Sequence, residues 1–215
     1  MKFRKIIGAT ALATPFWFLT VYLIMSSIRP EYSHLTKAIS ELGSLDAPNL
    51  WYWNVLGYII PGFAICALGV GLKCEFTSHS KVPAYALMLS GLLMTLSGIF
   101  PGDFDNRSSF TMMMQTVGSL GSFVAFLVSG FWYPKIFRSS SVWSSISWLS
   151  LSLVILSIAS GFMRSGEAPG LGQRIGFAFF FAWIFVIGYF LYRNNKPTKM
   201  HNKNRHNDAK NTRVL

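Results

Sequence analysis

Residues 175–192 read IGFAFFFAWIFVIGYFLY, a run without a charge or a proline that is bounded by Arg174 and Arg193. A spanning helix needs about 20 mainly apolar residues, because the hydrocarbon core of a bilayer is about 30 Å thick and each helical residue rises about 1.5 Å. This run meets that requirement, and working outward from it five more segments do so, near 6–28, 51–72, 83–100, 111–132 and 142–162. The expected fold is all-α: a polytopic membrane protein with six transmembrane helices in one bundle over residues 1–192.

The composition agrees. Of 215 residues, 52% are hydrophobic and 13% charged, with a mean hydropathy of +0.41. That balance excludes an ordinary water-soluble domain. The net charge of +11 could suggest nucleic acid, but its placement argues for a bilayer instead. Basic residues near span ends stay cytoplasmic. The N-terminus, the second and fourth loops and the tail together hold 14 Lys and Arg with 2 acids, whereas the other three loops hold 5 with 6 acids. Both termini are therefore expected in the cytoplasm of a cell whose plasma or inner membrane holds the chain, and no nucleic-acid partner is expected.

Lys2, Arg4 and Lys5 before an apolar run resemble a signal peptide, but the run is too long, and the small-residue site at 11–13 comes too early for cleavage. An uncleaved anchor is expected, with Pro15 kinking it. Residues 193–215 are rich in Asn, Lys and Arg and too polar to form a core, so a disordered basic tail is expected there. Such a segment attracts anionic lipid. Cys66 and Cys74 lie eight helical residues apart, about 12 Å, beyond disulfide reach.

The first outer loop, residues 29–50, is about twice as long as the others. Leu35, Ile39 and Leu42 recur in it at helical spacing, with His34, Lys37 and Glu41 on another side. This predicts a short interfacial helix carrying a Lys37–Glu41 pair and ended by Gly43 in the left-handed conformation. His34 and Glu41 then either form its wet face or line an outward pocket. Asp103 and Asp105 have the alternate spacing of hard-cation loops, yet Pro, Gly, Asp and Asn there equally suit ordinary turns. Arg164 and Arg174 flank the last outer loop.

Within the spans, Gln115 and Asn54 are the polar exceptions and are expected to share an interhelical hydrogen bond. Gly118, Ser122, Ala125 and Ser129 form a small-residue stripe along span four, and Met112, Met113 and Met114 point in three directions, as packing residues would. No nucleophile elbow, zinc-binding helix or phosphate loop appears, and no metal or cofactor is expected.

Several stretches resemble one family. These are Ser33-His34-Leu35, Ile39-Ser40-Glu41-Leu42-Gly43, Ala47-Pro48-Asn49, Trp53-Asn54, Gly57 and Pro61-Gly62, then Phe100-Pro101 with Asp103, and Pro169-Gly170-Leu171-Gly172-Gln173-Arg174. From about residue 10 to 192 the chain is similar to the prokaryotic membrane proteins termed domain of unknown function 998. The resemblance implies six helices without an assigned activity, and it directs attention to Ser40, Glu41, Gly43, Asp103 and Arg174, with Pro61 as a structural position. Members often carry a histidine at the start of span four, where this chain reads Thr111-Met112-Met113-Met114-Gln115.

The leading functional expectation is a non-enzymatic membrane protein. It would bind a lipid or small partner at its outer face, or support a membrane complex with another membrane protein or a second copy of itself. The alternative is an enzyme acting on a lipid head group, with Glu41 or His34 as base and Asp103 and Asp105 holding a divalent cation. A transporter is third. Arg174, at the hydrocarbon edge, is expected either to pair with Asp103 or Glu41 or to snorkel to lipid phosphate.

Overall fold

The computed structural model describes residues 2–76, 80–164 and 168–194. The expected tail lies beyond these residues, apart from Arg193 and Asn194. Among the described residues six helices are long and apolar enough to span a membrane: α1 (Lys2–Ser27), α2 (Leu50–Glu75), α3 (Lys81–Ile99), α4 (Phe110–Arg138), α5 (Ser144–Met163) and α6 (Pro169–Arg193). Among the described residues there are no strands, only an isolated bridge between Ser44 and Gly102.

Each helix packs on its neighbour in sequence, and α1 packs on α6, so the six form a closed ring. Both ends of the described chain meet at one end of the bundle, where a Cβ on Gly8 would fall 2.5 Å from the Tyr192 amide nitrogen. The opposite end carries the 28–49 segment and is called the long-loop end below.

Side-chain size is distributed as a lipid solvent demands. Along α4 the buried face is Gly118, Ser122, Ala125 and Ser129, and the exposed face includes Val117, Leu120, Val124 and Val128. In water this arrangement would leave a large apolar surface uncovered. In lipid there is no hydrophobic drive between helices, so small residues mark the contacts, where backbones can approach closely. Gly62 of α2 and Gly91 of α3 illustrate this, because a Cβ on either would lie 2.4–2.6 Å from the other's carbonyl oxygen. Hydrogen bonds reinforce the contacts, with Ser90 and Ser122 3.2 Å apart and Trp183 Nε1 donating to Ser150 Oγ at 2.7 Å.

Pro61 has a clear structural part. The helix widens to a π-helical turn at Asn54–Ile59, in which Ile60 N–H bonds the Val55 carbonyl five residues back. The next donor in that pattern would be residue 61, and proline has none, which orphans the Leu56 carbonyl. Trp17 of α1 supplies the missing donor, its Nε1 reaching Leu56 O at 2.9 Å. Pro15 lies two residues before Trp17 on α1, which remains helical through it.

Candidate functional site

The long-loop end is built around two arginines. Arg29, just beyond α1, is buried at 5% exposure. Its Nε donates to Glu31 Oε1 at 2.6 Å, its Nη1 to the Glu41 carbonyl at 2.6 Å, and Asp46 stands 3.8 Å away. The hydrogen bond from Arg29 holds the Glu31 carboxyl below the usual carboxylate range, and a hydrogen bond from Ser44 does the same for Asp46. Sequence reasoning counted Arg29 only as a loop charge. The acids around it, Glu31 and Asp46, were the available signal.

The helical turn that follows is a 3-10 helix, Ile39–Gly43. It is shorter than the expected interfacial helix and leaves His34 and Leu35 outside. Glu41 accounts for its start, since Oε1 accepts from the Ala38 N–H at 2.7 Å while Oε2 pairs with Lys37 at 3.3 Å. Both carboxylate oxygens are thus used to hold the turn. The Lys37–Glu41 pair is present as expected.

Gly43 does not adopt the left-handed conformation expected of it. It ends the turn in ordinary backbone geometry, and its role is close approach: a Cβ would fall 2.1 Å from Asn54 Oδ1 and 2.5 Å from Trp53 Cδ1. Asn54 Nδ2 donates to the Gly43 carbonyl at 3.0 Å. The expected bond between Asn54 and Gln115 is therefore replaced by one from Asn54 to the loop. Gln115 is buried at 3% exposure and packs beside Gly102, the residue that bridges Ser44. Ser40 sits on the same turn, facing the buried Tyr58.

Arg174 occupies the second centre. It turns inward, but it meets neither Asp103 nor Glu41. Nε donates to the Tyr22 hydroxyl at 2.6 Å and Nη2 to the Tyr32 hydroxyl at 2.5 Å, while Nη1 bonds the carbonyls of Lys37 at 3.0 Å and Gly170 at 2.6 Å. Two phenols and two carbonyls replace the expected carboxylate. The physical reason is supply: Glu41 is engaged by its own loop, whereas Tyr22 and Tyr32, exposed at 9% and 5%, face the arginine directly. Burial pushes the Tyr32 phenol above its ordinary value of 10.0, partly opposed by the Arg174 charge.

The last helix is docked on the loop by its first turn. Gly170 N–H donates to the Leu35 carbonyl at 2.7 Å, and Gln173 Oε1 accepts from the Ile39 N–H at 2.7 Å. A Cβ on Gly170 would lie 2.5 Å from the Lys37 carbonyl oxygen, so only glycine allows this approach.

His34 completes the cluster. Its Nδ1 hydrogen-bonds the Tyr22 hydroxyl, and its ring stands edge-on to Tyr22 and Tyr32, both at 5.6 Å. The Tyr22 oxygen already accepts from Arg174, a group that can only donate. With its oxygen accepting from Arg174, the Tyr22 hydroxyl can give its proton to His34 Nδ1, an arrangement that puts the proton of a neutral imidazole on Nε2; His34 as a residue is exposed.

Of the residues singled out from the sequence, His34 and Arg174 come together through Tyr22, and Ser40, Glu41, Gly43 and Asn54 form the adjoining turn. Among the described residues, Asp103 and Asp105 make no hydrogen bond or ion pair with this network. Asp103 Oδ1 accepts from the Asn106 N–H at 2.9 Å, closing its own turn, and Asp105 is exposed. Among the described residues no three His, Cys, Asp or Glu side chains gather as a metal site requires. The segment 165–167 and the Arg164 side chain lie outside the described residues.

The model of the family described as protein of unknown function DUF998 matches residues 12–189, which span most of the ring and both arginine centres. The chain belongs to that family. No curated protein and no solved structure shows significant similarity to it.

Proposed function

We propose that this DUF998 member resides in a cell membrane with both termini in the cytoplasm, and that its long-loop end faces outward and binds a lipid or another small partner. The observation that carries this reading is the state of Arg174. It is a half-buried cation whose hydrogen-bond partners among the described residues are all neutral, placed where three distant segments of the chain meet. A charge at the hydrocarbon edge is costly unless it is compensated. Neutral partners satisfy its hydrogen bonds without cancelling its charge, so the site favours an incoming negative group.

The carboxylates do not favour the competing head-group enzyme. Each oxygen of Glu41 already holds the 37–41 turn, so its use as a general base would compete with the Ala38 N–H and Lys37. The orientation follows the loop charges, with the basic segments on the side of the termini.

Two measurements test the proposal. Lipid extraction from the purified full chain should recover phospholipid above the detergent background, and recovery at background would overturn binding. Native Cys74, exposed at the end where the termini lie, should resist a membrane-impermeant maleimide in intact cells, while a Ser33→Cys variant in which Cys74 is replaced by serine should react. The reverse pattern would overturn the orientation.

A further inference from the structure

We infer that the group bound at the long-loop end is a phosphate, held between the remaining N–H of Arg174 Nη2 and the Nε2–H of His34. This inference rests on the proposed outer-face binding and adds the chemistry of the ligand. A guanidinium has five N–H donors. Tyr22, Tyr32, Lys37 O and Gly170 O take four of them, which leaves one on Nη2. Arg174 Nε donates to the Tyr22 hydroxyl oxygen and His34 Nδ1 hydrogen-bonds the same hydroxyl, so the Arg174 and His34 side chains are anchored at one atom.

Among the described residues, the surrounding charges leave Arg174 as the cation without a counter-charge in this network. Lys37 is paired with Glu41 at 3.3 Å, and Arg29 with Glu31 at 2.6 Å and Asp46 at 3.8 Å. Glu41 lies close enough to raise the Tyr32 phenol slightly, but its own oxygens are held by Lys37 and the Ala38 N–H. Exposed Leu35 and Leu171 flank the cluster, joined through the bond from Leu171 N–H to Leu35 O at 3.3 Å. Apolar side chains beside a cation fit an amphiphile, so the phosphate is expected to arrive on a lipid. Arginine suits it because its planar donor array matches phosphate oxygens.

The test uses the full chain in neutral detergent, titrated with phosphatidic acid, with diacylglycerol of the same acyl chains, and with inorganic phosphate, and read by native mass spectrometry. Phosphatidic acid should bind at least tenfold more tightly than diacylglycerol. His34→Phe, which keeps an aromatic ring and removes the donor, should weaken phosphatidic acid binding about tenfold, as expected for one charge-assisted hydrogen bond, and leave diacylglycerol unchanged. Competition by inorganic phosphate would support recognition of the phosphate alone. Undisturbed phosphatidic acid binding in its presence would support a phosphate presented on a lipid. Equal binding of the two lipids, or an unchanged His34→Phe, would overturn the phosphate site while leaving lipid binding in place. Failure of both lipids to bind would remove the outer-face binding itself.

Discussion

Replacing Arg174 by glutamine should destabilise the protein through the long-loop end, and the structure sets the size of the effect. The guanidinium donates four hydrogen bonds of 2.5–3.0 Å to groups on α1, the 28–49 segment and α6. Hydrogen bonds involving a charged group contribute about 1.5–3 kcal/mol each in isolation. Here they share one half-exposed side chain, and glutamine can replace one of them, so the net loss should be about 3 kcal/mol. For a chain of this size that corresponds to roughly 6–12 °C in melting temperature. Tyr32→Phe, which deletes a single hydroxyl, should cost about 1 kcal/mol. The informative quantity is the double variant. Because Tyr32 OH accepts from Nη2 and donates to the Ala38 carbonyl at 3.0 Å, the two losses should overlap by about 1 kcal/mol, measured by thermal unfolding in detergent. Strictly additive losses, or a melting temperature for Arg174→Gln within 1 °C of wild type, would refute the reasoning.

Gly43→Ala should lower stability by about 1–3 kcal/mol, since the new methyl group must displace the Asn54 amide and the Trp53 ring; Gly161→Ala, with open space around it, is the control and should leave the melting temperature unchanged. Arg29→Gln should cost about 2–3 kcal/mol, because it removes a buried cation from Glu31 and from the Glu41 carbonyl, and its effect should shrink in high salt only slightly, as burial limits screening. Tyr32 gives a pH dependence: its phenol is raised in the folded state, so its contribution is complete below pH 10.0 and is lost as pH climbs beyond it. Thermal unfolding between pH 9 and 11 should therefore fall more steeply in wild type than in Tyr32→Phe, and parallel curves would contradict the assignment.

Much of the fold was legible because its governing constraint is local. A backbone in lipid must satisfy its polar groups within each helix, so 20 apolar residues announce a span without reference to the rest of the chain. The small-residue stripe from Gly118 to Ser129 was readable for the same reason. The Lys37–Glu41 pair needed only its spacing.

The site was harder because its partners are joined by folding. Arg174 meets Tyr22 across 152 residues and Tyr32 across 142. Charge arithmetic favours carboxylates as arginine partners and has no way to nominate a phenol. Tyr22 and Tyr32 are aromatic residues near a span end, and the sequence around them carries no signal of an arginine partner. Gly43 was read through helix-cap rules, but the constraint on it is the side chain of Asn54, which belongs to a different element. Asn54 and Gln115 were both recognised as buried polar groups. Which neighbour Asn54 would choose depended on the path of the loop at Gly43 and Ser44, where it runs beside Gly102.

Photo-cross-linking in membranes shows whether the Arg174 end is the ligand-binding end. The probe is a phospholipid with its reactive group beside the phosphate, and adducts are located by peptide mapping of the full chain. Adducts should concentrate in residues 28–45 and 168–176 and be reduced in His34→Phe. Adducts spread evenly around the apolar belt, or gathered at the end that carries Lys73 and Lys81, would contradict binding at the Arg174 end.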